Sequence, residues 1–509
     1  MTAEISNNGS AATLPGSPAR ARLPAWAPAT VIIIVLLARV AFSLFVPPNE
    51  DEAYYFAWGQ HLQLSYYDHA PLHGWMQGLS TAIFGWSHWA MRAMSFVTLA
   101  ATAAIFWYWA GRLAPMDRTN LFLTSLAIYM ASPVVFAISV LAFPDHWLMF
   151  LSLASIHFFA LFFAERLAGR RGLYRFLYAG AALLGLAALA KYNAVALGLA
   201  VAGFVVFDRR LRPLLREPQL YLAGLLSVVM LAPVLIWNLQ NDFASIRYQL
   251  YGRYAPGGPG VMGEFSLERF GVFVLTSAVY VSPFVMIPLI RLLFSRKQSD
   301  FGGALGGLAT WVFITSGLII GFIAFFARAA VHWNILAFVA ILPLAALHFR
   351  WRVALAGHLV FGVVAIVVLV GYFVTFPAFQ DSPRGDREAA RVYGWDQVAA
   401  RMEELRQEHG AAAIASVYYG GASKLAFAAG RDAVVTSLAP VHDSFDEWRD
   451  EAALKGRDII IHDEWGAIGR VADQFEAVED LGRIDVTRFG KTIIVYSLHL
   501  GRGYRGLEE

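Results

Sequence analysis

The stretch "NEDEAYYFAWGQHLQLSYYDHAPLHGW", residues 49–75, follows an apolar segment that is long enough to cross a lipid bilayer. It places two adjacent acids, Asp51 and Glu52, with tyrosine pairs and histidines directly outside that segment. Acids are favoured in the first turn of a helix, and aromatic side chains are common at membrane interfaces. Asp51 and Glu52 are therefore either solvated acids at a helix start or members of a polar site at the membrane surface.

The composition is that of a polytopic membrane protein. Of the 509 residues, 58% are hydrophobic and 15% are charged, whereas soluble domains carry about 25% charged residues. The net charge of +3 gives no indication of nucleic-acid binding. The chain has no cysteine, which excludes disulfides, thiolate metal sites and a cysteine nucleophile.

The apolar segments predict about eleven transmembrane helices, because about 20 apolar residues are needed to cross the hydrocarbon core. The expected spans are residues 24–46, 91–113, 119–141, 146–165, 173–190, 192–208, 219–237, 269–292, 303–326, 331–348 and 353–375. The fifth and sixth are short and nearly contiguous, so they form either two spans or a re-entrant element. Residues 1–23 are polar and predict a disordered cytoplasmic tail rather than a cleaved signal peptide.

Lysine and arginine in short loops predict the orientation, because such loops remain on the cytoplasmic side. With eleven spans, all of the basic loops fall on one side: residues 20–22, 111–118, 165–175, 208–217, 291–298 and 348–352. The N-terminus is then cytoplasmic and the C-terminus periplasmic. This organisation divides the chain into a membrane domain, residues 24–376, with its first outer loop at 47–90, and a periplasmic α/β domain, residues 377–509.

The C-terminal part alternates helical and strand-like patterns. Residues 384–410 contain an amphipathic helix with Val398, Met402 and Leu405 on one face. Strand-like runs follow at residues 413–419, 432–438, 458–464 and 492–500. No internal repeat of 20–50 residues is evident, which weakens a transporter interpretation, since many transporters contain repeats.

Two further charged residues lie on the predicted outer side. Asp145 follows Pro144 at the start of the fourth span and is either a helix cap or a functional acid. Lys191 interrupts an apolar sequence between two short spans. It either extends to the interface or lines a polar cavity.

Arg39 lies inside the first span, where an arginine must be paired or reach the interface. Its expected partners are Asp51, Glu52, Asp145 or an anionic lipid head group. Other cationic candidates on this face are Arg92, Arg247, Arg253, Arg328 and His332. Acids surrounded by cations are typical of a site that binds a negatively charged lipid head group and removes a proton.

His69 and His73 are four residues apart and would share one face of a helix, as paired metal ligands do. Pro71 lies between them and disfavours a continuous helix, which favours hydrogen-bonding histidines at the interface. The sequence contains no HExxH, Walker, Gly-rich dinucleotide or GxSxG motif. A nucleotide-using enzyme is therefore not indicated.

Three motifs together resemble bacterial members of the dolichyl-phosphate-mannose-protein mannosyltransferase-like superfamily, glycosyltransferase family 39, which includes lipid A aminoarabinose transferases. They are the stretch at 49–75, "FPDHWLMF" at 143–150 and "AKYNAV" at 190–195. The resemblance covers about residues 30–350, and "WNLQNDFASIRYQLYGR" at 237–253 is similar to the family's outer loop. Ala70 stands where the family has a second proline. The resemblance implies the GT-C fold, a mainly α polytopic membrane protein with a small C-terminal α/β domain.

The resemblance also implies an activity. An inverting glycosyltransferase of this type moves a hexosyl or pentosyl group from a polyprenyl-phosphate donor to a cell-envelope acceptor, at the periplasmic face of the bacterial inner membrane. Lipid A, lipopolysaccharide, another glycolipid or a polysaccharide is the expected acceptor, and nucleic acid is not a partner. The alternatives are an enzyme that transfers mannose to proteins and a polytopic transporter or flippase.

Residue by residue, the resemblance assigns Asp51 as the catalytic carboxylate, with Glu52 as its neighbour and Asp145 as a second acid. The candidates for binding the donor phosphate are Lys191, Tyr192, Arg39, Arg92, Arg253 and His332. The candidates for substrate contact are Tyr54, Tyr55, Tyr67, Asp68, His69 and His73. No cofactor is certain; a divalent cation is left open, with Glu52 or His332 as its candidate ligands.

Overall fold

The computed structural model describes residues 20–252, 261–295, 300–378, 386–464 and 466–506. The α-helices are α1 (Trp26–Phe45), α2 (Glu50–Trp58), α3 (Leu72–Phe84), α4 (His88–Leu113), α5 (Arg118–Met130), α6 (Pro133–Val140), α7 (Pro144–Leu167), α8 (Tyr174–Ala190), α9 (Val195–Phe207), α10 (Pro218–Val229), α11 (Ala232–Gln240), α12 (Ala244–Leu250), α13 (Leu267–Val281), α14 (Met286–Leu293), α15 (Phe301–Phe326), α16 (Ile335–Val339), α17 (Ile341–Leu344), α18 (Arg352–Thr375), α19 (Arg387–Ala390), α20 (Trp395–His409), α21 (Tyr419–Ala429), α22 (Ser444–Trp448) and α23 (Glu451–Leu454). The strands are β1 (Ala413–Ser416), β2 (Val435–Ser437), β3 (Ile459–Asp463), β4 (Ala477–Arg488) and β5 (Lys491–Arg502).

Five of the described helices, α1, α4, α7, α15 and α18, are long and apolar enough to cross a membrane. Three bent pairs, α5–α6, α10–α11 and α13–α14, raise this number to eight if each pair is one span. The bends measure 75°, 47° and 90°, and each lies beside a proline: Pro133, Pro233 and Pro283. Proline removes a backbone donor and clashes with the preceding turn, so a span bends there.

Length alone therefore yields fewer spans than the eleven expected from the sequence. Helices α8 and α9 have 17 and 13 residues, which is shorter than the ~20 residues of a full crossing. The segment expected as a span at 331–348 forms short helical pieces, among them α16 and α17. Pro343 lies in α17 and cannot donate to the turn before it.

The first outer loop folds into the two short helices α2 and α3. Asn49 and Glu52 form a capping box at the start of α2, in which each side chain accepts a hydrogen bond from the other residue's backbone N–H. Three acids in the first turn suit the helix dipole. Most of the remaining residues of α2 are buried, so this polar stretch is a packed interface helix.

A buried ion pair fastens α2 to the membrane helices. Arg92 of α4 donates from Nε and Nη2 to the two carboxylate oxygens of Glu52, at 2.7 and 2.6 Å. Glu52 also accepts from the backbone N–H of Ala142 at 2.8 Å, and Arg92 donates to the carbonyl of Val46 at 2.7 Å. The two side chains are 0% and 1% exposed. The two side chains thus satisfy each other, and the phosphate-binding role predicted for Arg92 and the catalytic or cation-binding role predicted for Glu52 stay predictions.

Arg39 is also held inside the protein, at 2% exposure. It donates to the Ser139 hydroxyl at 2.9 Å and to the Ser95 carbonyl at 3.1 Å, and it also donates to the Ser139 carbonyl. Its guanidinium lies over the Phe96 ring. The expected acidic or lipid partners are thus replaced by a serine and two carbonyls, and Arg39 joins α1, α4 and α6 rather than binding a donor.

The C-terminal part forms a five-stranded sheet in the order β2-β1-β3-β5-β4. β1 is parallel to β2 and β3, while β5 is antiparallel to β3 and β4. The apolar face predicted from Val398, Met402 and Leu405 is buried in α20. The run at 413–419 is strand only to Ser416, because α21 begins at Tyr419. β4 was not predicted from the sequence, since its mostly exposed residues lack the apolar pattern of a strand.

We expect Arg92→Met to lower the stability of the protein by about 3–5 kcal/mol, because Glu52 would become a buried carboxylate without a partner. Thermal unfolding in detergent micelles measures this loss. The double variant Glu52→Gln, Arg92→Met removes the stranded charge and should regain part of the lost stability. A normal melting temperature together with weakened donor binding in Arg92→Met would instead support the phosphate-binding assignment.

Candidate active site

Asp51 lies in the first turn of α2 and is half-buried. The hydroxyl of Tyr419 donates to its Oδ1 at 3.2 Å. Burial, reinforced by the neighbouring charge of Glu50, raises the pKa of Asp51 to about 6, and His69 opposes this rise. A carboxylate with a pKa near the working pH is suited to general-base catalysis, since it is ionised yet still basic.

Asp145 and Lys191 form the second charged centre. Asp145 lies in the first turn of α7 and is 2% exposed, whereas Lys191 occupies the extended break between α8 and α9. The ammonium Nζ donates to both oxygens of Asp145 at 2.8 Å. The sequence predicted the two residues separately, and the structure joins them as an ion pair. A lysine ammonium has three N–H donors, so one donor remains beyond the two that Asp145 accepts.

His69 acts electrostatically on both Asp51 and Asp145. Its Nδ1 atom is buried, has no hydrogen-bond partner and lies 3.7 Å from Oδ1 of Asp68, which is also buried and also lacks a hydrogen-bond partner. Buried polar atoms are normally hydrogen-bonded, so these two atoms are candidates for substrate contact. His332 also lies within electrostatic range of Asp145.

Three of the expected substrate contacts lie inside the protein. Tyr54 and Tyr55 are 2% and 7% exposed, and His73 is fully buried. Nε2 of His73 lies 2.7 Å from the carbonyl of Ala142, and burial lowers the pKa of His73 to about 3, so the ring is neutral. Their burial places them in the packing of the protein, and the substrate contact expected of them stays a prediction.

The remaining candidates lie at the edges of the site. Tyr67 is half-buried and packs against Tyr248 and His442. Tyr192 follows Lys191, and its hydroxyl lies 3.4 Å from Ser245. Arg253 lies outside the described residues.

An apolar groove of about 700 Å³ lies between α8, α9 and α10. Tyr192, which follows Lys191 in the chain, is part of its wall, whereas Asp145 and Lys191 are not among its lining residues. Its walls are formed almost entirely by apolar residues, among them Leu177, Leu184, Val195, Leu199, Leu220 and Val228.

Across the ranges that the structure describes, no group of three or more histidine, aspartate and glutamate side chains could hold a metal ion. Glu52, one of the two candidate ligands, is bonded to Arg92.

Sequence reasoning missed the contribution of the C-terminal part to this site. Tyr419 contacts Asp51 although 368 residues separate them, and Ser444 contacts Tyr54 across 390 residues. Nothing in the local sequence around Tyr419 indicates a partner so distant along the chain. Only the packing of α21 against α2 brings these groups together.

Residues 68–237 match the family model described as dolichyl-phosphate-mannose-protein mannosyltransferase. The lipid A galacturonosyltransferase RgtD of Rhizobium johnstonii is 26% identical over 401 residues, which cover 74% of this chain and 76% of that protein.

Solved structures share the fold. ArnT from Cupriavidus metallidurans bound to undecaprenyl phosphate matches with a TM-score of 0.61 and 12% identity, covering 93% of this chain and 98% of that one. Its apo form matches with a TM-score of 0.59 and 13% identity over the same shares. The apolar helices and these bacterial relatives make the chain a multi-pass protein of the bacterial inner membrane. The chain therefore shares the fold of ArnT, and over residues 68–237 it is similar to the dolichyl-phosphate-mannose-protein mannosyltransferase family.

Proposed function

We propose that the protein transfers a sugar from a polyprenyl-phosphate-linked donor to lipid A or a related glycolipid at the periplasmic face of the inner membrane. The observation that carries the proposal is the buried Asp145–Lys191 pair together with an apolar groove whose wall includes Tyr192, the residue that follows Lys191. Two comparisons support it: the relative RgtD is a lipid A galacturonosyltransferase, and the structural relative ArnT binds undecaprenyl phosphate.

The donor half of the site combines the groove with Lys191. The polyprenyl chain occupies the apolar groove, and the phosphate accepts the third N–H of Lys191. Positive charge at this position stabilises the negative charge that grows on the phosphate oxygens as the sugar departs. Asp145 holds the ammonium in place and balances its charge before the donor binds.

The acceptor half is centred on Asp51. The acceptor hydroxyl attacks the anomeric carbon, the bond from this carbon to the phosphate oxygen breaks, and polyprenyl phosphate leaves. Asp51 takes the hydroxyl proton as general base, and the single displacement inverts the anomeric centre. If the acceptor group is a phosphate, it is already ionised, and Asp51 then orients it. His69 and Asp68 contact the substrate between the two centres, through the buried atoms that lack protein partners.

The orientation is also part of the proposal. The basic loops described above are assigned to the cytoplasm by the positive-inside rule. Asp51, Asp145 and Lys191 then lie on the periplasmic side, beneath the C-terminal domain. A donor on that side meets an acceptor such as lipid A after the acceptor has crossed the membrane.

We expect Asp51→Asn to reduce transfer about 10²- to 10⁴-fold, because a positioned general base contributes a factor of that order. In the wild type the rate should rise with pH through about 6, since burial raises the pKa of Asp51 to about 6 and only the ionised form accepts a proton. Purified protein with undecaprenyl-phosphate-linked galacturonic acid and lipid A, followed by mass spectrometry of the lipid, tests both statements.

Asp473→Asn is the matched control for that experiment, because it makes the same change at an exposed site of the C-terminal domain. This variant should transfer sugar as the wild type does. Full activity of Asp51→Asn would eliminate the base role.

Replacement of the Asp145–Lys191 pair tests the donor half. Lys191→Met alone strands a buried carboxylate, so the double variant Asp145→Asn, Lys191→Met is preferable. We expect the double variant to fold and to bind undecaprenyl phosphate about 10- to 100-fold more weakly, since a hydrogen bond to a charged group contributes about 1.5–3 kcal/mol. Microscale thermophoresis of the purified protein measures the affinity for this lipid. An unchanged affinity would argue against Lys191 as the residue that binds the phosphate.

A topology experiment tests the assigned side of the membrane. A cysteine added after Glu509 should react with a membrane-impermeant reagent that is added outside intact spheroplasts, where the periplasmic face is exposed. A short epitope tag at the same place should likewise be recognised there by an antibody. A second tag placed before residue 20 should react only after lysis. The opposite pattern would place the active site on the cytoplasmic face.

A further inference from the structure

We propose that Tyr419 of the C-terminal domain is a positioning residue for Asp51, so that the active site is complete only when this domain is docked on α2. The inference rests on the proposed role of Asp51 as the base. It assigns to the C-terminal domain a part in the reaction itself, beyond packing over the membrane helices.

The contact between the two residues is direct and constrained. The Tyr419 hydroxyl donates to Oδ1 of Asp51 at 3.2 Å, and Tyr419 is the first residue of α21. The Tyr419 ring packs against the ring of Tyr54, with centroids 4.9 Å apart. Because Tyr54 is itself buried in α2, the tyrosine ring is held against the same helix that carries the carboxylate.

Other hydrogen bonds join the domain to the same region. Tyr54 donates to the Ser444 hydroxyl and accepts from the Ser444 backbone N–H, both at 2.9 Å. The indole of Trp86 donates to the carbonyl of Phe427 at 2.9 Å. These bonds involve residues that follow Tyr419 in the chain, one in α21 and one in α22, so the domain is fixed to the membrane part at several points.

Charge complementarity strengthens the docking. The Tyr418 hydroxyl donates to Oε2 of Glu50 at 2.5 Å, and Nζ of Lys424 lies 4.0 Å from the same oxygen. The side chain of Lys424 is 3% exposed, and so buried a cation needs nearby negative charge. Glu464, paired with Arg391, lies in the same charged group. Glu50, the neighbour of Asp51, is the part of this group that the membrane domain supplies.

The bond from Tyr419 affects the base in two ways. It anchors one carboxylate oxygen, which leaves the other oxygen to accept the proton of the acceptor. It also favours the ionised carboxylate and so lowers the pKa of Asp51 against the larger, opposing effect of burial. Burial raises the pKa of Tyr419 itself far above its usual value, so its hydroxyl remains a donor throughout the working range of pH.

The test is the pH dependence of transfer by Tyr419→Phe, with undecaprenyl-phosphate-linked galacturonic acid and lipid A as substrates. The change removes the hydroxyl and retains the ring packing on Tyr54. We expect the acid limb of the pH–rate profile, where the rate rises as Asp51 ionises, to move to higher pH by about half to one unit. The reason is that the ionised carboxylate loses a hydrogen bond. The kcat should fall about tenfold, while the KM for the donor stays unchanged.

Tyr504→Phe is the matched control. Its hydroxyl donates to Glu451 at the same distance of 3.2 Å, within the C-terminal domain. The control should retain the rate and the acid limb of the wild type. A rate loss in Tyr419→Phe without a shift of the limb would indicate a structural role alone and overturn the proposal, as would an unchanged enzyme.

A second measurement covers the case in which Tyr419→Phe fails to fold. Incorporation of 3-fluorotyrosine at position 419 makes the hydroxyl a stronger donor with little change in shape, so the acid limb should move to lower pH. An unmoved limb contradicts the positioning role. These outcomes are separate from that of Asp51→Asn: an active Asp51→Asn enzyme refutes the proposed base, whereas an inactive one beside an unaltered Tyr419→Phe enzyme refutes only the present inference.

Discussion

The buried pair of Glu52 and Arg92 is the interaction on which the arrangement of the site depends. Its two hydrogen bonds, with those from Ala142 and to Val46, connect α2 to the end of α1, to α4 and to the loop before α7. A buried ion pair need not add net stability, but loss of one partner is costly because a charge is left without compensation. The direction of α2, and with it the position of Asp51, is therefore set by the membrane helices.

The two adjacent acids Asp51 and Glu52 have opposite environments for this reason. Successive residues of a helix project about 100° apart, so one carboxylate faces the membrane core and the other faces away from it. Glu52 forms an ion pair with Arg92, whereas Asp51 accepts a hydrogen bond from the Tyr419 hydroxyl and stays half-buried. Two adjacent acids thus separate into a carboxylate that is paired with an arginine and one that we propose as the base.

The second charged centre arises from breaks in helices. Lys191 lies where α8 gives way to α9, and such irregular backbone at membrane depth occurs where it is buried or lines a cavity. Asp145 opens α7 and meets the lysine across this break. The groove whose wall includes Tyr192, the residue after Lys191, is apolar, and the proposed lipid-linked donor combines such a hydrocarbon path with a charged head.

The sequence by itself determined the membrane class and the amphipathic helix of the C-terminal domain, since apolar length and periodicity are local properties, and it predicted Asp51, Asp145 and Lys191 as site residues. It could not decide which cations face a substrate. Arg39 and Arg92 resemble free cations in sequence, yet both donate hydrogen bonds inside the protein. Arg39 donates to a hydroxyl and a carbonyl, and Arg92 donates to a carboxylate and a carbonyl. Tyr419 could not be predicted from the sequence, because 368 residues separate it from Asp51. Only tertiary packing decides which polar groups are already satisfied, and hence which remain for chemistry.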